Sequence, residues 1–130
     1  LSARLHKPLM QPQPRYGDGR MGPWEWVKAS DGRLIKTDAQ GHDGDHTCVG
    51  PQSWLWDVAG LCVEWRLDRA AREQLMRLLN LHDNELLRFH CAAYAAFRVG
   101  MDAICGNPIS DSTAMLKQML AACLNGHTAS

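Results

Sequence analysis

The 130 residues amount to one domain's worth of chain, and an apolar share of 45% is enough to build a core. Fourteen basic and fourteen acidic residues cancel, so no whole-chain field draws in nucleic acid or an anionic membrane surface. No apolar run approaches the roughly 20 residues that a membrane-spanning helix needs, and the opening "LSARLHKPLM" has basic residues without the continuous apolar stretch of a signal peptide.

Residues 1–23 hold Pro8, Pro12, Pro14 and Pro23 with Gly17, Gly19 and Gly22. No periodicity runs through them, so they read as an irregular arm. Next comes "PWEWVKASDGRLIKTDA", in which two apolar runs flank Ser30-Asp31-Gly32. Asp-Gly is a hairpin signal because both positions tolerate positive φ, which predicts strands over 24–29 and 33–38. A loop of Gly, Asp and His fills 39–51, and Pro51 suits the first turn of a helix.

That helix is predicted over 52–67, with Leu55, Val58, Ala59, Cys62 and Leu67 as its apolar positions. Asp68 can cap a second helix whose Ala71, Leu75, Leu78 and Leu79 form one stripe. Asp83 can cap a third, in which Leu86, Ala93, Tyr94, Phe97, Met101 and Ile104 repeat at helical spacing and which Gly106-Asn107-Pro108 stops. Ser110 can cap a fourth, with Leu116, Met119, Leu120 and Cys123 facing inward. A short β-hairpin followed by about four helices is an α+β order, mainly α. The hairpin and bundle, 24–130, read as a single domain and part of a larger protein, since the chain opens irregularly and without an initiator methionine. Trp24, Trp26, Trp54, Trp56 and Trp65 bring enough apolar area to be expected in the core.

Cysteines at 48, 62, 91, 105 and 123 are odd in number and include no C-x-x-C pair. Cys62, Cys91 and Cys123 sit in apolar helical patterns, where cysteine acts as a small hydrophobe. A reduced, cytoplasmic protein is the expectation.

The densest chemistry lies in "LIKTDAQGHDGDHTC", residues 34–48. His42 and His46 stand four apart, with Asp43 and Asp45 between them and Cys48 beyond, a candidate set for Zn²⁺. Gly41 and Gly44 weaken a helix there, and the glutamate of H-E-x-x-H is absent. The same composition also makes an ordinary polar loop. A third reading holds a magnesium–phosphate pair. Outside the cluster, Asp18 lies between glycines as turn residues do. Glu25 alternates with Trp24 and Trp26 as an exposed strand residue would. Asp57, flanked by Trp56 and Val58, faces water or needs a partner.

The order of these pieces favours the third reading. "GDGRMGPWEW" precedes the hairpin, Thr37-Asp38 closes it, and a helix carrying "WDVAG" follows. Over about residues 15–105 this resembles the C-terminal lobe of the protein-kinase-like phosphotransferases, in particular the aminoglycoside phosphotransferase and choline kinase group. The resemblance implies that Asp38 binds Mg²⁺ against the phosphates of ATP. It places Glu25, thirteen residues earlier, as the second metal ligand. The catalytic aspartate of that pattern lies five residues before the second ligand; Arg20 stands there, and Asp18 is the nearest acid. Asp57 takes the place of the aspartate that braces the catalytic loop, accepting backbone N–H groups from around 18–22.

A glycine-rich phosphate loop and a strand lysine on an N-terminal sheet are also part of such enzymes, and neither is found in these residues. Lys36 lies beside Asp38, on the wrong lobe. The resemblance therefore implies a fragment or a degenerate relative without its N-terminal lobe, little or no ATP binding by this chain alone, and a small-molecule phosphate acceptor bound by the helices after residue 68. The alternative from a different class is a small helical interaction module whose His/Asp loop holds a structural metal or nothing. Nucleic-acid binding has no basic stripe interleaved with aromatics to support it.

Overall fold

A computed structural model of the chain describes residues 17–37, 53–81 and 84–125. They form a two-stranded antiparallel sheet followed by four helices, an α+β order that is mainly α. The chain divides into two compact units, Leu1–Leu67 and Asp68–Ser130. No helix among the described residues is long and apolar enough to cross a membrane.

In the first unit, β1 (Trp26–Lys28) pairs with β2 (Leu34–Lys36), placing Trp26 opposite Lys36, Val27 opposite Ile35 and Lys28 opposite Leu34. Both strands are shorter than predicted. Residues 23–25 curl into a single 3₁₀ turn, with the Glu25 N–H donating to the Gly22 carbonyl at 3.0 Å. Pro23 presets the φ of that turn and offers no N–H to a ladder. Trp24 lies on the turn and is exposed, where core packing was expected. At the other end Asp31 accepts from the Arg33 N–H at 3.0 Å and from Arg33 Nε at 2.7 Å, fixing the bend between the strands.

Helix α1 (Leu55–Glu64) follows. Leu55, Val58, Ala59, Cys62 and Val63 are buried at i, i+3, i+4, i+7 and i+8, the stripe of an amphipathic helix. Val63 is fully enclosed, and burying a valine side chain contributes about 1.5–3 kcal/mol. The helix ends earlier than predicted because Arg66 adopts a left-handed φ of 49°. The Leu67 N–H then reaches back to the Cys62 carbonyl at 3.0 Å, a Schellman-type closure.

In the second unit, α2 (Arg69–Leu78) starts at Asp68, whose carboxylate accepts from the Ala71 N–H at 2.8 Å. Met76 is its buried residue; Leu78, on the predicted stripe, is 76% exposed, and Leu79 is exposed too. The helix stops at Leu78, and Asn80 turns the chain at φ 52° with the Leu81 N–H on the Met76 carbonyl at 2.9 Å. Of the predicted repeat, Leu79 thus lies past the helix end, and Leu78 is exposed on the last helical residue. Helix α3 (Asn84–Cys105) buries Leu86, Leu87, His90, Cys91, Ala92, Tyr94 and Ala95, and packs against α4 (Ser110–Asn125), which buries Ser112 and Met119. Toward the end of α3 the apolar repeat outlasts the cover: Ile104 is 82% exposed, and Leu120 on α4 is exposed as well. The Ile109 carbonyl accepts from the Thr113 N–H at 2.9 Å, so α4 is entered from Ile109 and Ser110 is its first residue rather than its cap. Cys62, Cys91, Cys105 and Cys123 are free thiols.

Candidate functional site

Asp57 is the third residue of α1, in the first turn, where unpaired N–H groups and the helix dipole favour a carboxylate. Its Oδ2 accepts from the Asp18 N–H at 3.1 Å and its Oδ1 from the Gly19 N–H at 2.8 Å. Hydrogen bonds to a charged acceptor are about twice as strong as neutral ones, so this carboxylate is the main tie between the helix start and the bend at 17–22. Two consecutive N–H groups meet one carboxylate only if the chain turns sharply. Gly19 does so at φ 73°, a region closed to most side chains. Gly17 serves differently: a Cβ there would stand 2.8 Å from Asp57 Oδ2.

The Asp18 side chain is held at both oxygens. Oδ1 accepts from the Arg20 N–H at 3.2 Å, a local turn closure. Oδ2 pairs with Lys36 Nζ at 2.9 Å. The same ammonium lies 2.7 Å from Glu25 Oε2, and the three side chains are each 11% exposed. Burial pulls the Lys36 ammonium down, but hydrogen bonds and charge from Glu25 and Asp18 outweigh it, and the group titrates above the usual lysine range. The Glu25 backbone is anchored too, its carbonyl accepting from the Thr37 N–H at 2.9 Å and from Thr37 Oγ1 at 3.1 Å.

Aromatic groups close the far side of the bend. Trp65 Nε1 donates to the Met21 carbonyl at 2.9 Å, and the Trp65 ring meets Trp26 edge to face, with centroids 6.2 Å apart and planes at 81°. The bend is therefore fixed to the start of α1 by Asp57, to its end by Trp65, and to β2 by Lys36.

Of the residues singled out from the sequence, Asp18, Glu25 and Asp57 are gathered around this bend. Asp38, His42, Asp43, Asp45 and His46 lie outside the described residues. Among the described residues no group of three or more His, Cys, Asp or Glu side chains is placed to hold a metal ion. Glu25, set by the resemblance on magnesium, has its carboxylate on the Lys36 ammonium instead. A dication at that carboxylate would face a fixed positive charge, so the described part of the expected magnesium pair does not fit the metal.

Sequence reasoning missed Lys36 and Gly17. Counting the hairpin outward from Asp31-Gly32 places Lys36 opposite Trp26, on the face opposite to that of a strand residue at 25; Glu25 meets Lys36 from the 3₁₀ turn that precedes β1, which the register does not reveal. Gly17 carries no signal either, because its role lies in an approach by a residue 40 positions away.

Chemically, the site offers one carboxylate, Asp18, on a half-buried turn, paired with an ammonium that a second carboxylate shares. Such a group can orient a hydroxyl and accept its proton. Comparison with protein-family models, with curated proteins and with solved structures finds no match to this chain.

Proposed function

We propose that the bend at 17–22, with α1 and the hairpin, is the acceptor-orienting part of a kinase-like phosphotransferase that moves phosphate from ATP to a hydroxyl of a small molecule. The observation that carries this reading is the Asp57 carboxylate on the N–H groups of Asp18 and Gly19. Catalysis of phosphoryl transfer is mostly positioning and electrostatics. A loop whose acid is held by its backbone and by both side-chain oxygens answers that requirement. Asp18 would align the acceptor hydroxyl and take its proton as the bond to phosphorus forms.

A cradle for the nucleotide phosphates is not among these elements and would be supplied by a further lobe. Magnesium, if used, would enter with ATP, with Asp38 as the ligand that the resemblance implies. The free thiols suit a reduced compartment, and the cytoplasm is the proposed one.

The test is release or transfer of the γ-phosphate of MgATP by the full-length protein, wild type against Asp18→Asn. The reading expects turnover in the wild type and a loss of at least about a hundredfold in the variant. Equal rates would overturn it. A melting temperature raised by zinc but not by MgATP would point instead to an interaction module with a metal-holding loop.

A further inference from the structure

The Lys36 ammonium stands between two carboxylates, 2.9 Å from Asp18 and 2.7 Å from Glu25, and all three side chains are largely withdrawn from solvent. Nothing in the phosphotransfer pattern calls for a lysine at this place. We infer that Lys36 and Glu25 are positioning residues for Asp18: Glu25 anchors the Lys36 ammonium, and the ammonium holds the Asp18 carboxylate in the orientation that meets the acceptor. The inference rests on the phosphotransfer reading for what Asp18 does, and it takes Glu25 out of the metal site.

Three observations support it. The Glu25 backbone is pinned by two hydrogen bonds from Thr37, the residue after Lys36, so anchor and ammonium move as one piece. Lys36 closes β2 opposite Trp26, whose ring rests edge-on against Trp65, so the base of the lysine is fixed by the hairpin. Asp18 Oδ1 accepts from the Arg20 N–H and Oδ2 meets the Lys36 ammonium, so the lysine holds the carboxylate at its second oxygen. Moving Glu25 to a metal would leave Lys36 with a weaker anchor and let Asp18 turn.

The experiment uses the full-length protein with MgATP as the only probe. Lys36→Met is expected to lower kcat for phosphate release at least about tenfold while KM for MgATP stays within about twofold, the pattern of lost positioning rather than lost binding. Lys36→Arg keeps the charge and restores most of the rate. Glu25→Gln lowers kcat as Lys36→Met does and leaves the magnesium concentration for half-maximal activity unchanged. Lys36→Met at the wild-type rate, or Glu25→Gln with a sharply raised magnesium requirement, overturns the inference. A readout independent of turnover is the ¹³C resonance of the Asp18 carboxyl carbon together with amide exchange at Arg20. Both shift in Lys36→Met if the lysine sets Asp18; if neither shifts, Lys36 does not position it. Should wild type and Asp18→Asn release phosphate equally, the phosphotransfer reading fails, and the carbon resonance still decides what Lys36 does to Asp18.

Discussion

The Asp57 carboxylate lies directly over the Cα of Gly17, with Oδ2 2.8 Å from where a side chain at 17 would begin. The same oxygen accepts the Asp18 N–H. A methyl at 17 therefore competes for space with the acceptor that holds the next residue. Gly17→Ala is expected to cost on the order of 2 kcal/mol, the worth of a hydrogen bond to a charged group. Urea unfolding would show it as a lower midpoint with the slope unchanged.

Removing the acceptor has a related effect by another route. Asp57→Ala leaves the N–H groups of Asp18 and Gly19 without their carboxylate in a half-buried bend, at a cost of about 2–3 kcal/mol. Amide exchange at Asp18 and Gly19 should accelerate far more than exchange in the second unit. Asp57→Asn keeps one carbonyl oxygen but turns an NH₂ toward a donor, so it should protect one of the two amides and lose the other.

The cap of α2 is a separate and local test. The Asp68 carboxylate accepts from the Ala71 N–H at 2.8 Å, and Asp68→Ala should cost about 1 kcal/mol, with Asp68→Asn close to neutral. Chemical denaturation of the two variants beside the wild type checks this. An Asp68→Ala protein as stable as the wild type would contradict the capping role.

His90 predicts a pH dependence. Its ring is buried on α3, with Nδ1–H donating to the Leu86 carbonyl at 2.9 Å. Burial pushes its pKa below the usual 6.5, against a smaller upward pull from the Leu86 hydrogen bond. The unfolded chain therefore takes up the proton first as the solution is acidified. Stability is full above about pH 6.5 and falls as pH drops below it, because the unfolded state binds more protons there. His90→Gln keeps a donor for Leu86 and removes the titration. The loss of stability between about pH 7.5 and about pH 5.5 should be smaller in that variant, as read from urea midpoints at the two values.

Much of the fold was legible because local signals agreed with the tertiary outcome. Ser30-Asp31-Gly32 turns the hairpin, Asp68 caps α2, and α3 runs to Cys105 before Gly106. The apolar stripe of α1 is buried at Leu55, Val58, Ala59 and Cys62, four of the five positions named from spacing. Errors came where a helix or strand stops for reasons outside its own pattern. Leu79 continues the stripe of α2 on paper, but the helix has ended at Leu78, itself exposed, and the chain turns at Asn80. Trp24 was expected inside on area alone, yet the turn begun by Pro23 places it outside. The site was harder to read. Asp18, Glu25 and Asp57 were named from an order of motifs, whereas Gly17 and Lys36 act through partners distant in sequence. Lys36 looked misplaced because it was judged against a nucleotide rather than against the acids across the hairpin.

The central claim is that Asp57 holds the bend so that Asp18 can act in phosphoryl transfer. Its most direct test is the initial rate of γ-phosphate loss from MgATP by the full-length protein. The rate would be measured for Asp18→Asn, Asp57→Ala and the double variant, at a temperature where all are folded. The account predicts that each single change lowers kcat by at least about tenfold and that the double is no slower than Asp18→Asn, because the two residues work as one unit. Asp57→Ala turning over at the wild-type rate would contradict it.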